Sequence, residues 1–447
     1  MRFKGTALLA AALVGIISYY FLIDLPSEKR KNKEKDRAEK VILFDPENVK
    51  GISFTKGEVT ITLKGLGIDE WQMTAPVNAK GDALAVSEFL SFLSNLNFTR
   101  VVEESSKDLS PFGLDTPGLR IILSMNNGET KGVRVGDDHP MGNKVYLALL
   151  KGSQVLAADV TKNRLDRSAH DLRDKTILDF KTPLIKKIEF IRNGKTLNLI
   201  KDKESWQVLE NRISAKGNET EITNLLNKIQ AAQIEQFVEE NSKQLTFYGL
   251  NNPKLTVKLT TLKSKEPLTL LVGNKNEHGF YAKTLLKKNV FTIGQSLFDS
   301  LNNREFVHFL NKSLVDFNDN DVIKMTLRMD NVTVDLIRNK KDLQEWTMQQ
   351  PIEMKANTST INSVLFDLKN TRIVEFVSTQ AKNSEVFNFE QSEKEINLTY
   401  KSGETWALKL NKKTSNPDHY LAQRTDEEAF FTLQKSSVES IFRSLHD

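Results

Sequence analysis

At 447 residues the chain exceeds what one core serves, and about 150 residues per domain points to roughly three domains. Its 39% hydrophobic and 27% charged residues, with only 11 prolines, describe a globular protein rather than a disordered one. A net charge of +5, from 63 basic against 58 acidic residues, makes no case for nucleic acid, and the absence of cysteine excludes disulfides, thiolate nucleophiles and cysteine-ligated metal sites.

Gly5 to Ile23 is 19 residues without a charge. As a helix rising about 1.5 Å per residue it is about 28 Å long, close to the hydrocarbon thickness of a bilayer. Tyr19 and Tyr20 suit the interfacial belt, and Asp24 with Pro26 marks the exit. Arg2 and Lys4 also fit the basic start of a cleaved signal peptide. However, the apolar run outlasts the usual one and its small residues, Ala10 to Ala12, sit inside it, leaving no good cleavage site after it. The expectation is an uncleaved transmembrane anchor over residues 1–25 and a charged juxtamembrane linker over 26–40. Seven basic side chains between Ser27 and Lys40 favour the cytoplasmic side, whereas the four-residue basic tail before the helix is a signal-anchor pattern that keeps the N-terminus inside.

Beyond the linker the sequence repeats. PFGLDTP, from Pro111 to Pro117, returns as FYGLNNP: Gly113, Leu114 and Pro117 each recur 136 residues on, as Gly249, Leu250 and Pro253. Trp71, Trp206 and Trp346 each end a strand-like stretch, and Asp82, Asn218 and Asn357 follow as candidate N-caps. Three helices then share an apolar stripe at i, i+3, i+4 and i+7: Val86, Phe89, Leu90 and Leu93, then Ile222, Leu225, Leu226 and Ile229, then Ile361, Val364, Leu365 and Leu368. These stripes read as core.

A strand-like segment and the glycine turn come next, the turn reduced in the third copy to Phe387-Asn388-Phe389. Gly113 and Gly249 are expected at positive φ, which Asn388 tolerates. Alternating segments such as LRIILSM, LTVKLTT and INLTYKS follow, with Gly136 and Gly273 after a valine and Tyr146, Tyr281 and Tyr420 taken as equivalent. They predict antiparallel sheet with one covered face. The expected architecture is α+β: three tandem repeats over 41–180, 181–317 and a divergent 318–447, each a mainly antiparallel sheet with helices on one face, bounded by Phe180 and Phe317.

The order of tryptophan, helix, [FY]-G-L-x-x-P, V-G, tyrosine and R-[DE]-K before L-D-F resembles a bacterial domain-of-unknown-function family, number four-three-four-zero. Two copies match well and the third in part. The resemblance implies an N-terminal membrane helix, a charged spacer and repeats outside the cytoplasmic membrane, with genes often beside ABC transporters of the gliding-motility type. It also implies an N-terminus inside and the repeats on the periplasmic side of the inner membrane.

Motifs for chemistry fail one by one. Gly136 to Gly142 before Asn143-Lys144 has one residue too many for a phosphate loop, Gly65-Leu66-Gly67 lacks the third glycine of a dinucleotide fingerprint, and Gly294 to Phe298 breaks the nucleophile elbow at its last place. His139, His278 and His419 precede the repeated tyrosines at unequal offsets, so they read as loop histidines. Arg173-Asp174-Lys175 and Arg304-Glu305 read as ion pairs and helix caps, and the three tryptophans as core rather than glycan platforms. No catalytic, cofactor or metal residue is assigned. The expected function is a non-enzymatic, membrane-anchored scaffold or binding protein, accessory to an ABC-type transporter or envelope complex. An envelope hydrolase or lipid-handling protein using Asp137, His139 and His278, or a mechanical spacer, are the alternatives.

Overall fold

The computed structural model describes Leu13 and residues 34–115, 118–140, 142–203, 205–210, 213–329, 331–339, 342–378, 389, 392–412, 416–426 and 429–443. The expected anchor, apart from Leu13, lies outside the described residues, as do Pro117 and Asn388. Among the described residues no helix is long and apolar enough to cross a membrane. Two compact units divide the chain, residues 1–175 and 176–447.

The first unit holds one nine-stranded sheet: β1 (Val49–Lys56), β2 (Val59–Gly67), β3 (Glu70–Ala75), β4 (Ala79–Lys80), β5 (Phe98–Glu103), β6 (Leu119–Met125), β7 (Thr130–Asp138), β8 (Val145–Leu149) and β9 (Val155–Ala158). Their order is β4-β3-β2-β1-β6-β7-β8-β9-β5, and every pairing is antiparallel. The second unit contains two further nine-stranded sheets, over 185–293 and 322–434, whose strands take the same order.

That order explains both repeated features of the sequence. β1 to β4 form a meander running outward, and helix α1 (Ala83–Ser94) then carries the chain from that edge to the opposite one, where β5 pairs only with β9. Its 12 residues make about 18 Å, enough to cross about four strands. The chain must then return to the middle of the sheet to start β6, and the glycine turn lies on that return. α2 (Glu219–Ala231) and α3 (Thr358–Asn370) repeat the crossover.

Each helix starts where its cap accepts free backbone N–H groups: Asp82 from Ala85, Asn218 from Glu221, Asn357 from Ser359 and Thr360. The predicted stripe residues are buried in all three, and in the first module Val86, Phe89, Leu90 and Leu93 join one core with Ile52, Phe54, Leu63 and Leu123 of the sheet. Ile177, Leu178 and Phe180 pack in the second unit's core. The phenylalanine expected to close the first repeat therefore opens the next unit.

One expectation is corrected. The sheet was expected to be covered on a single face, yet β9 (VLAA) and its counterpart VFTI are buried at every position. Helix and core cover one face, and the glycine turn covers part of the other.

Candidate functional site

The turn is the most regular local feature. Ser110–Phe112 form one 3-10 turn ended by Gly113 at φ 64°, a left-handed conformation that costs glycine nothing. Leu114, 1% exposed, then packs with Ala148 and Val155 on the face away from α1, with Phe112 and Tyr146 in edge contact at 5.1 Å. Gly136 in β7 lets this happen: a Cβ there would lie 2.0 Å from the Phe112 carbonyl oxygen. In the second repeat Gly249 (φ 68°), Leu250 and Tyr248 occupy the same arrangement, Tyr248 meets Tyr281 at 4.8 Å, and a Cβ on Gly273 would lie 2.0 Å from the Tyr248 oxygen. The Tyr248 hydroxyl donates to Glu239 at 2.8 Å, which holds the phenol above its ordinary pKa.

Strand pairing revises one predicted equivalence. Tyr146 pairs with Ala157 and Tyr281 with Thr292, but in the third sheet Leu421 pairs with Thr432 while Tyr420 pairs with Leu433. Leu421 is thus the counterpart of the two tyrosines, and Tyr420, one position off, points to the opposite face and the main core. Equal spacing in sequence concealed the slip. By the same register the residue at the place of Gly136 and Gly273 is Asn411, since Val135 pairs with Leu119, Val272 with Leu255 and Leu410 with Lys394.

Trp206 and Trp346 are 3% and 1% exposed, and Trp71 is half-buried against the first core. Each tryptophan carbonyl accepts a backbone N–H, from Gly81, Gly217 and Ala356 respectively. The rings are packing elements. Arg338 lies over the Trp346 ring at 4.7 Å, and burial lowers its pKa.

Within the second unit, residues 311–314 join the two modules as an extended strip. Asn311 N donates to Lys216 O, Leu314 N to Thr371 O, and Ile373 N to Lys312 O. The buried Arg424 fastens it, its Nη1 donating to Ser313 O at 2.9 Å and Leu314 O at 2.7 Å. Beside it opens a cleft of about 460 Å³ lined by Tyr400, Glu404, Trp406, Arg424, Asp426 and Asp316. Trp406 Nε1 donates to Asp426 at 3.2 Å, and Arg424 lies 3.5 Å from the same carboxylate. Burial, helped by the Asp426 and Glu404 carboxylates, pushes the Tyr400 phenol up to about 12, so it stays a neutral donor. A second cleft of about 420 Å³ carries Arg304, paired with Glu221 at 2.7 Å, and His308, whose Nδ1 accepts from Glu305 N. These cations and this imidazole already have partners. The clefts can hold a polar ligand, but the nucleophile–base geometry of covalent catalysis is not what these pairs build.

The remaining predicted positions are separate. Asp137 meets Lys162 at 3.4 Å, His139 packs on Tyr146 with ring centres 5.0 Å apart, and His278 lies 3.3 Å from Glu277. Lys175 reaches Asp82 at 3.7 Å and donates to the carbonyls of His170 and Asp171, a helix-end cap. Among the described residues no three His, Asp or Glu side chains cluster as a metal site would require.

The fold is therefore a tandem array of one nine-stranded antiparallel module with crossover helices. The sequence profile of the family described as a domain of unknown function (DUF4340) matches residues 71–243 and again 206–391, and the chain belongs to that family. No curated protein matches it. Among solved structures, a DNA polymerase sliding clamp from Pseudomonas aeruginosa is 8% identical, covering 87% of this chain and 92% of that one, with a TM-score of 0.14. A DNA polymerase III beta chain from Streptococcus pneumoniae is also 8% identical over 88% and 94%, with a TM-score of 0.15. Superposition that poor carries no argument about this chain.

Proposed function

We propose that this is a non-enzymatic scaffold or binding protein, held at the inner membrane by residues 1–25, that presents its repeats on the periplasmic side to an ABC-type transporter or another envelope complex. The observation that carries this reading is repetition. One sheet order occurs three times, and duplicated modules multiply surface rather than refine one pocket. The pairing of cations with carboxylates and carbonyls around both clefts fits structural joints better than chemistry. The uncharged run from Gly5 to Ile23 supports the anchor, and the family resemblance supports the side and the class of partner.

Affinity capture of the full chain from detergent-solubilised membranes tests the proposal. Reproducible recovery of a transporter subunit is expected; recovery of no envelope protein at all refutes it. A reporter fused after Asp447 should be active only outside the cytoplasm.

A further inference from the structure

In both earlier repeats the chain that follows the last short helices turns back and seals the module. Leu172 O accepts from Asp82 N at 2.9 Å and Asp174 N donates to Lys80 O at 2.9 Å, with Gly81 and Arg173 as bridge partners. Phe309 O likewise accepts from Asn218 N at 2.7 Å, Asn311 N donates to Lys216 O at 2.9 Å, and Gly217 bridges Leu310. A short strand is thereby added at the sheet edge. It delivers one apolar side chain to the core, Leu172 at 1% exposure or Phe309 at 0%, the latter stacked on Phe190 at 5.9 Å.

In the third repeat the corresponding place is a cavity of about 300 Å³, lined by Met325, Leu327, Met348, Met354, Ile361 and Val364 among others. The correspondence follows from pairing. Phe190 faces Leu197 and Val257, and Leu327 faces Val334 and Ile396. Ala356 N donates to Trp346 O just as Gly217 N does to Trp206 O, so Lys355 and Asn357 stand where Lys216 and Asn218 bind the returning strand. The Met354–Lys355 strand is the terminal one of its sheet, and among the described residues Ala356 has no bridge partner. Four of the chain's eight methionines, Met325, Met329, Met348 and Met354, line this one cavity, and Met354 is 54% exposed at its mouth. Unbranched thioethers adapt to a guest.

We propose that this groove docks an extended peptide from another protein, which adds as a strand beside residues 354–356 and places one phenylalanine or leucine in the cavity. Strand addition supplies affinity through main-chain bonds, and the pocket supplies selectivity. Two repeats already fill the same groove in this way with the chain's own Leu172 and Phe309. The chain's own tail fits worse: Leu172 stands 14 residues after Ala158, and the same step from Leu433 arrives at Asp447, a carboxylate that an apolar cavity would penalise. The inference does not depend on the membrane reading.

The test uses a labelled peptide copying Arg304 to Ser313, fluorescence anisotropy and the detergent-solubilised full chain. Saturable binding is expected. Phe309→Ala in the peptide should weaken it about ten- to hundredfold, the cost of losing a buried phenylalanine, and N-methylation at Asn311 should weaken it by removing the donor to Lys355 O. Val364→Trp in the protein fills the cavity and should abolish binding. Met354→Glu at the exposed mouth is the second variant, should tryptophan disturb folding. Absence of saturable binding, or binding untouched by both protein variants, overturns the proposal. So does a tenfold gain on removing residues 444–447, which would make the tail the occupant. Displacement by a fatty acid without any effect of N-methylation would also overturn it, in favour of an acyl chain.

Discussion

Gly136→Ala is the sharpest probe of the turn. The added Cβ would stand 2.0 Å from Phe112 O and 3.0 Å from the Leu114 side chain, whereas nothing lies within 4 Å of a Cβ on Gly67, whose φ is ordinary. Since the first obstacle is backbone, the turn must lift off β7. Lifting exposes Leu114, worth about 1.5–3 kcal/mol when buried, and separates Phe112 from Tyr146, worth about 0.5–1.5 kcal/mol more. The expected loss is about 2–4 kcal/mol. Amide hydrogen exchange read by mass spectrometry on the full chain should show β6 and β7 opening about 30- to 1,000-fold more often. Gly67→Ala should stay within about 0.5 kcal/mol. If the two variants exchange alike, the close approach is not what demands glycine at 136.

Other changes test the joints. Arg424→Met should cost about 2–4 kcal/mol in thermal unfolding, because it leaves the carbonyls of Ser313 and Leu314 without their buried donor; a change under about 0.5 kcal/mol would remove Arg424 from the joint. Phe309→Ala should cost about 3–5 kcal/mol in the second unit, since the side chain is 0% exposed and stacks on Phe190. Tyr400 tests the sign of a titration. With a folded pKa of about 12 above an ordinary value of 10, the folded state holds its proton more tightly. The contribution is complete below pH 10 and is lost as pH rises towards 12. Tyr400→Phe should therefore remove the latest-ionising phenol from an absorbance titration and flatten the fall of stability across that window.

The sequence disclosed some parts of this fold better than others, for physical reasons. Helices α1, α2 and α3 were legible because a period of 3.6 marks one buried face, and their caps because Asp82, Asn218 and Asn357 are short side chains able to accept from free N–H groups. The last strand of each sheet was not. VLAA and VFTI are buried on both faces, so they do not alternate, and four apolar residues have no period. Sheet order was also hidden, because β5 precedes in sequence the four strands that separate it from β1 in space. The cavity had one signal that could have found it: methionine concentrated between residues 325 and 354.

The third repeat departs from the others at paired positions, which argues that each departure answers another. Glycine is required at 136 and 273 only because a backbone oxygen comes within 2.0 Å of where a Cβ would stand. Asn411, buried at that place in the third sheet, cannot coexist with so close a turn. The F-G-L pattern has gone as well, and Phe389 instead stacks on Phe430 with centroids 5.8 Å apart. The other edge shows the same coupling. A Cβ on Gly81 or Gly217 would meet the Trp71 or Trp206 Cβ at 2.9 or 3.0 Å, yet Ala356 carries one there while keeping its bond to Trp346 O. That edge must stand farther from its tryptophan, and the lost contact is recovered nowhere in the sheet itself. It opens towards the methionine-lined cavity, where a side chain from elsewhere would restore the packing density that Leu172 and Phe309 provide in the other two modules.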